Sequence, residues 1–88
     1  MPESWHFTNE EEEKKWILQT IPRCFQDVGF RGQTEGDLIF GLYRYGWIHP
    51  EDDIDGYLLR LFEEESEKGN YIVYWEEEEQ PRRFYLLR

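Results

Sequence analysis

Carboxylates are the residues of this sequence that most readily suggest chemistry, since 20 Asp and Glu occur among 88 residues. General acid–base catalysis needs a carboxyl group held in a pocket that shifts its pKa. The acids here form runs instead, such as Glu63 to Glu65 and Glu76 to Glu79, which are typical of solvated helix faces and turns. A nucleophilic triad would place Cys24 or a serine beside a histidine, but His6 and His49 lie near the N-terminus and near a predicted helix start. We therefore expect no enzymatic activity.

Metal binding is suggested only by the acidic spacing that begins at Glu51 and ends at Gly56, which resembles the first half of a calcium-binding loop. The twelfth position of that loop requires a bidentate Glu, and here it is Phe62. The same residues also fit a helix, whose geometry is incompatible with the loop. The histidines and the single cysteine have no zinc-type spacing. We therefore expect neither a metal nor a cofactor.

Charge limits the class of partner. With 20 acidic and 10 basic residues the net charge is −10, which repels nucleic acid and anionic membranes and favours a basic protein surface as partner. The longest apolar run, Leu38 to Tyr43, is far shorter than the ~20 residues that span a bilayer. Cys24 is the only cysteine, so no internal disulfide is possible, and we expect its side chain to be buried. The chain is predicted to be soluble and cytoplasmic.

One domain over residues 1–88 is the simplest organisation, because the sequence has no linker-like segment and no internal repeat. A chain of this size buries only about 60% of its unfolded surface, so its four Trp, six Tyr and six Phe are needed for a dense core. Residues 1–7 show no clear period. They either form a loose N-terminal arm or pack Trp5 and Phe7 on the body.

A first helix is predicted from a capping box of Thr8 with Glu11, followed by acids in the first turn. Pro22 removes one backbone hydrogen bond and should kink or restart the helix. Gly29 is a plausible left-handed cap at its end. The predicted apolar face consists of Ile17, Ile21, Phe25 and Val28.

A second helix, over about residues 35–45, is predicted from the capping box of Thr34 with Asp37. Gly36 and Gly41 lie within it, and each costs about 1 kcal/mol relative to Ala. This helix therefore depends on tertiary contacts, or allows a close helix approach at its glycines.

The third predicted helix covers Glu51 to Lys68, and Pro50 is well placed to start it and Gly69 to end it. It carries eight acidic residues and only two basic ones. Its apolar stripe is the cleanest in the chain and consists of Ile54, Tyr57, Leu58, Leu61 and Phe62.

A β-hairpin is predicted at the C-terminus, with Tyr71 to Trp75 pairing antiparallel to Phe84 to Leu87. If the loop is Glu78 to Pro81, charge pairing and aromatic pairing agree on one register. That register pairs Glu77 with Arg82, Glu76 with Arg83, Trp75 with Phe84 and Tyr74 with Tyr85.

The order of these elements over about residues 10–88 resembles that of the winged helix-turn-helix superfamily, in which a one-bridge strand would lie near residues 30–33. The predicted fold class is therefore α+β and winged-helix-like, with three helices followed by a C-terminal β-hairpin. The resemblance implies a DNA reader whose third helix enters the major groove and whose hairpin tip is basic. Both matching regions are acidic here, and acidic surfaces are repelled by phosphates. DNA-binding transcriptional regulation is accordingly the alternative function.

A non-catalytic protein-interaction or regulatory module is the function that the sequence favours. Clustered carboxylates indicate a partner with a basic surface and are suited to mimicry of nucleic acid, or to inhibition of a protein that binds it. An aromatic interface, or closure of a homodimer, is a second way to use the surface. The candidate partner-binding residues are Glu63, Glu64, Glu76, Glu77, Trp5, Trp16 and Leu59.

Overall fold

Three helices followed by a two-stranded antiparallel hairpin make up the described part of the computed structural model, which covers residues 7, 9–47 and 54–88. The helices are α1 (Glu10–Gln26), α2 (Glu35–Arg44) and α3 (Tyr57–Glu67), and the strands are β1 (Val73–Trp75) and β2 (Phe84–Leu86). This order confirms the α+β fold class and fits a winged-helix-like layout. Within the described ranges, no helix is long and apolar enough to cross a membrane.

The N-cap of helix α1 is one residue later than the predicted Thr8. Asn9 is the N-cap, and its side chain accepts a hydrogen bond of 2.9 Å from the backbone N–H of Glu12. Thr8 lies outside the described residues. The helix continues through Pro22 without a restart, because its buried face, which includes Ile17 and Phe25, extends on both sides of the proline. It ends at Gln26, before Gly29, whose φ is +69°.

Helix α2 has the predicted capping box. The Asp37 N–H donates to Thr34 Oγ1 at 3.1 Å, and the Thr34 N–H donates to Asp37 Oδ2 at 3.2 Å. The close helix approach occurs at Gly41, where a Cβ atom would lie 3.1 Å from Cys24 Sγ on α1. Gly36 has no such neighbour, since its nearest contact would be Thr34 Oγ1 at 3.9 Å.

Helix α3 begins at Tyr57, so the predicted start at Pro50 and Glu51 is wrong. Ile54 precedes the helix, and Gly56 has a left-handed φ of +82° that interrupts the helical backbone. Residues 48–53 lie outside the described part of the chain. The later start leaves four glutamates in α3, with Asp55 in the turn before it. Lys68 caps the C-terminus, and Gly69 ends the helix as predicted, with φ +87°.

The sheet has the predicted register. Its pairs are Val73 with Leu86, Tyr74 with Tyr85 and Trp75 with Phe84. An isolated antiparallel bridge joins Gln33 to Phe84, with N–H to O distances of 3.0 and 2.7 Å. The bridge lies at the position expected for the one-bridge strand, and it ties the segment before α2 to β2.

One hydrophobic core joins the three helices and both strands with Trp47, three residues after α2, and Ile54, three residues before α3. Its largest fully buried side chains are Trp47, Phe25 and Phe84. Cys24 is buried as predicted, and burial raises its pKa to about 11. The buried apolar residues are Ile17, Ile21, Cys24, Phe25, Leu38, Leu42, Trp47, Ile54, Leu58, Leu61, Phe62, Val73 and Phe84.

Candidate interaction surface

Two elements carry the exposed glutamates that were predicted to bind a partner. On α3, Glu63, Glu64 and Glu67 are exposed and form what we call the acidic face. In the hairpin, residues 76–78 are exposed glutamates and form the acidic tip. A helix and a hydrogen-bonded hairpin hold both groups of carboxylates. The fold therefore presents these charges on ordered backbone.

Neighbouring cations compensate the acidic face and tip only in part. Lys14 Nζ lies 3.4 Å from Glu64 Oε1, and Arg82 lies 3.2 Å from Glu77 Oε2, which confirms that predicted pair. Both pairs are substantially exposed, and such pairs contribute little. Among the described residues, no Lys or Arg forms an ion pair with Glu63 or Glu76. The predicted pairing of Glu76 with Arg83 therefore does not occur as an ion pair. Among the four predicted glutamates, Glu63 and Glu76 are therefore the two that no described cation pairs with.

The acidic run on α3 contains one member that belongs to the fold and not to the surface. Glu65 is only 8% exposed and accepts hydrogen bonds from Asn70 Nδ2 at 3.1 Å and Lys68 Nζ at 3.3 Å. The Asn70 N–H also donates to the Glu65 carbonyl oxygen. Glu65 therefore stabilises the turn after α3. The expectation that Glu63 to Glu65 form a solvated run is wrong at this residue.

The apolar candidates lie closer to the core than to the surface. Trp16 and Leu59 are both half-buried and packed against the core. Trp16 also contacts Phe7, with ring centroids 5.8 Å apart, so this N-terminal aromatic packs on the body. Trp5 lies outside the described residues. Neither described candidate is among the large hydrophobic residues that are exposed.

Other aromatic residues are exposed instead. Phe40 is 65% exposed and Tyr71 is 64% exposed. Tyr74 is also exposed, and its ring stacks on Tyr85 at 5.2 Å. Sequence reasoning missed Phe40, although it falls off the helical stripe of Leu38 and Leu42, and that same criterion selected Trp16 and Leu59.

A buried carboxylate at Glu13 connects α1 to α3 and to Trp47, which lies three residues after α2. Glu13 is only 1% exposed; its Oε2 accepts from Trp47 Nε1 at 2.9 Å, and its Oε1 accepts from the Tyr57 hydroxyl at 2.7 Å. Burial, together with this hydrogen bond, raises the pKa of Tyr57 well above its usual range. The signal was present in the sequence, because Glu13 lies four residues before Ile17 on the apolar stripe of α1.

A second carboxylate, Glu35, caps α3 from α2. Its Oε1 accepts from the Gly56 N–H at 2.8 Å, and its Oε2 accepts from the Leu59 N–H at 3.1 Å. Carboxylates at a helix N-terminus satisfy free N–H groups and interact favourably with the helix dipole. Glu13 and Glu35 are both occupied in the fold, so neither is a free acid or base.

The described residues contain no group of three or more His, Cys, Asp or Glu that could hold a metal ion. The first acidic positions of the calcium-loop pattern, at 51–53, lie outside those residues. The Cys24 thiol is buried, and its raised pKa of about 11 leaves it a smaller thiolate fraction than a free cysteine has. No protein-family model matches the chain, and no match was found among curated proteins or solved structures.

Proposed function

We propose that this protein is a non-catalytic interaction module that binds a basic surface of another protein. One observation carries the proposal: the exposed side of α3 and the hairpin tip together present six glutamates, at positions 63, 64, 67 and 76–78. In a winged-helix arrangement these are the two elements that would meet a partner's groove or backbone. The negative charge of the six glutamates favours a partner rich in Lys and Arg.

Electrostatics supports a partner chosen by charge. The net charge of −10 attracts a basic protein from a distance and speeds the encounter. Carboxylates spaced along a helix and a hairpin also resemble the phosphates of a nucleic acid in sign and in regular placement. The sharper form of the proposal is therefore that the module occupies a surface that otherwise binds DNA or RNA, and so acts as a mimic or inhibitor.

The test is affinity capture from a lysate with washes at about 50 and 500 mM salt, because screening weakens contacts between exposed charges. Glu63→Lys with Glu76→Lys reverses one carboxylate of the acidic face and one of the acidic tip, neither of which pairs with a described cation. Glu11→Lys with Glu12→Lys is the control, since it changes net charge equally at exposed positions of α1. We expect the first variant to lose the captured partner and the control to retain it.

Displacement of a labelled nucleic acid from the captured partner would support mimicry. If the partner stays bound at high salt and to the variant with Glu63→Lys and Glu76→Lys, binding through the acidic surface is contradicted and an aromatic interface is favoured. Tight duplex binding by the module itself at about 50 mM salt, in a mobility-shift assay, would favour the alternative of a winged-helix DNA-binding regulator.

A further inference from the structure

A groove of about 450 Å³ lies between the connection from α1 to α2, the α2 helix and the residue before β2. Its lining includes three arginines, Arg31, Arg44 and Arg83, and the exposed ring of Phe40. Among the described residues, Asp37 is the only acidic one in the lining. In a chain with a net charge of −10, this concentration of positive charge is a local reversal of sign. We call it the arginine groove.

The arginine charges are not neutralised by the described parts of the chain. Arg31 Nε donates to the Val28 carbonyl oxygen at 3.1 Å, and the Arg44 guanidinium lies 5.9 Å from the centre of the Phe40 ring. Among residues 7, 9–47 and 54–88, none of the three groove arginines forms an ion pair. The Asp37 carboxylate already accepts a hydrogen bond from the Thr34 N–H. The groove therefore retains its capacity to bind an anion.

The floor of the groove is held by packing and hydrogen bonds. A Cβ atom at Gly32 would lie 2.5 Å from a ring carbon of Tyr85, so this backbone lies directly against the sheet. The next residue, Gln33, pairs with Phe84 through two backbone hydrogen bonds, and its Nε2 donates to the Cys24 carbonyl oxygen at 3.2 Å. A rigid floor lowers the cost of ordering the site when a ligand binds.

We infer that the arginine groove binds a short acidic peptide segment of a partner protein. Guanidinium groups pair with carboxylates through bidentate hydrogen bonds, and the exposed Phe40 ring offers a contact for an apolar side chain between the acids. The volume falls in the range of ligand-sized clefts. A long polyanion such as a nucleic acid would instead extend onto the acidic remainder of the surface. This inference involves different residues from the proposed function and stands independently of it.

The probe is a fluorescein-labelled decapeptide of eight glutamates with two central leucines, measured by fluorescence anisotropy. At about 150 mM salt the Debye length is about 8 Å, so charges of the protein farther than this from the groove are largely screened. We expect saturable binding that is absent for the same peptide with glutamines in place of the glutamates. Arg44→Gln with Arg83→Gln should weaken binding about tenfold, since exposed charge-assisted contacts are each worth up to about a factor of five.

The matched control is Arg23→Gln with Arg60→Gln, which removes the same charge at exposed positions that do not line the groove. The control should bind as the unaltered protein does. Phe40→Ala should weaken binding of the leucine-containing peptide more than binding of an all-glutamate decapeptide. Circular dichroism melts establish that each variant is folded before its affinity is compared.

Three results would overturn the inference. The first is no saturable binding, or equal effects of the groove and control variants. The second is tighter binding of a single-stranded oligonucleotide through the same arginines. The third is self-association in light scattering that Arg44→Gln abolishes, which would assign the groove to a second copy of this chain.

Discussion

Replacement of Glu13 tests the buried polar link between α1, Trp47 and α3. Its carboxylate is 1% exposed and accepts from Trp47 Nε1 at 2.9 Å and from the Tyr57 hydroxyl at 2.7 Å. Glu13→Ala removes both acceptors, whereas Glu13→Gln keeps the shape of the side chain. The two substitutions therefore separate loss of the link from loss of its charge.

The expected cost follows from the burial of each donor. Trp47 is 1% exposed, so removal of the Glu13 acceptor from its indole N–H should cost about 2 kcal/mol, in the middle of the range for loss of a buried hydrogen-bond partner. Tyr57 is only half-buried, so loss of its acceptor should cost less, about 1 kcal/mol. Loss of the buried side-chain methylene adds about 1 kcal/mol. Glu13→Ala should therefore lower the free energy of unfolding by about 4 kcal/mol.

Glu13→Gln should cost less, about 1 to 2 kcal/mol. The amide oxygen still accepts from Trp47, and the amide nitrogen donates to the Tyr57 hydroxyl, which accepts as well as donates. What is lost is the difference between a charge-assisted and a neutral hydrogen bond. A domain of this size has a total stability of only about 4 to 13 kcal/mol, so the alanine variant loses a large part of it.

Urea unfolding followed by circular dichroism at about 222 nm measures these changes, because tryptophan fluorescence would respond directly to the altered surroundings of Trp47. Glu11→Ala and Glu11→Gln are the controls, since Glu11 is exposed in the same first turn and has the same favourable position on the helix dipole. They should cost under about 1 kcal/mol. Equal losses at Glu13 and Glu11 would refute the reasoning. A more stable Glu13→Gln variant would show that desolvation of the carboxylate outweighs its hydrogen bonds.

Four further predictions concern helix packing, capping and ionisation. Gly36→Ala should stabilise by about 0.5 to 1 kcal/mol through helix propensity, whereas Gly41→Ala should destabilise because its Cβ would lie 3.1 Å from Cys24 Sγ; thermal unfolding that moves both variants in the same direction would contradict this. Glu35→Ala should lower stability by about 2 kcal/mol and speed hydrogen exchange in the first turn of α3, because two backbone N–H groups lose their acceptor; unchanged exchange would exclude the cap. The pKa of Tyr57 is higher in the folded protein than in the unfolded chain, where it is about 10. The contribution of Tyr57 to the free energy of unfolding should therefore be complete below about pH 10 and decline as the pH rises above it. This decline in the free energy of unfolding is at most about 1.4 kcal/mol per pH unit, and solvent screening reduces it further. In urea unfolding between about pH 9 and 12, Tyr57→Phe should lose stability less steeply with pH than the unaltered protein. The Cys24 thiol, with a pKa of about 11, should react with iodoacetamide at pH 8 at least ~100-fold more slowly than free cysteine, and rapid labelling of the folded protein would contradict its burial.

The elements that could be predicted are those whose signals are local. The capping box of Thr34 with Asp37 involves residues three apart, and side-chain pairing across the turn predicted the hairpin register. The two glycines within α2 raised a close helix approach as one possibility, and the structure has one at Gly41 but not at Gly36. Local chemistry therefore predicted most of α2 and of the sheet.

The elements that could not be predicted depend on partners distant in sequence. Helix α3 begins at Tyr57 because Glu35, 21 residues before Gly56, supplies the acceptor for the turn. Propensity and periodicity from Pro50 onward contain no information about that carboxylate. The predicted start was therefore wrong by more than one helical turn.

By itself, the sequence determined the net charge, the order of the elements and the acidic character of the third helix and the hairpin tip, because these properties depend only on composition and local pattern. Only the tertiary structure decided which charged side chains are buried and which lie close together. It buries Glu13 and Glu65 beside donors that satisfy them, and it brings Arg31, Arg44 and Arg83 to one groove. The physical reason is that burial and convergence depend on contacts between segments far apart in the chain, and no local spacing specifies those contacts.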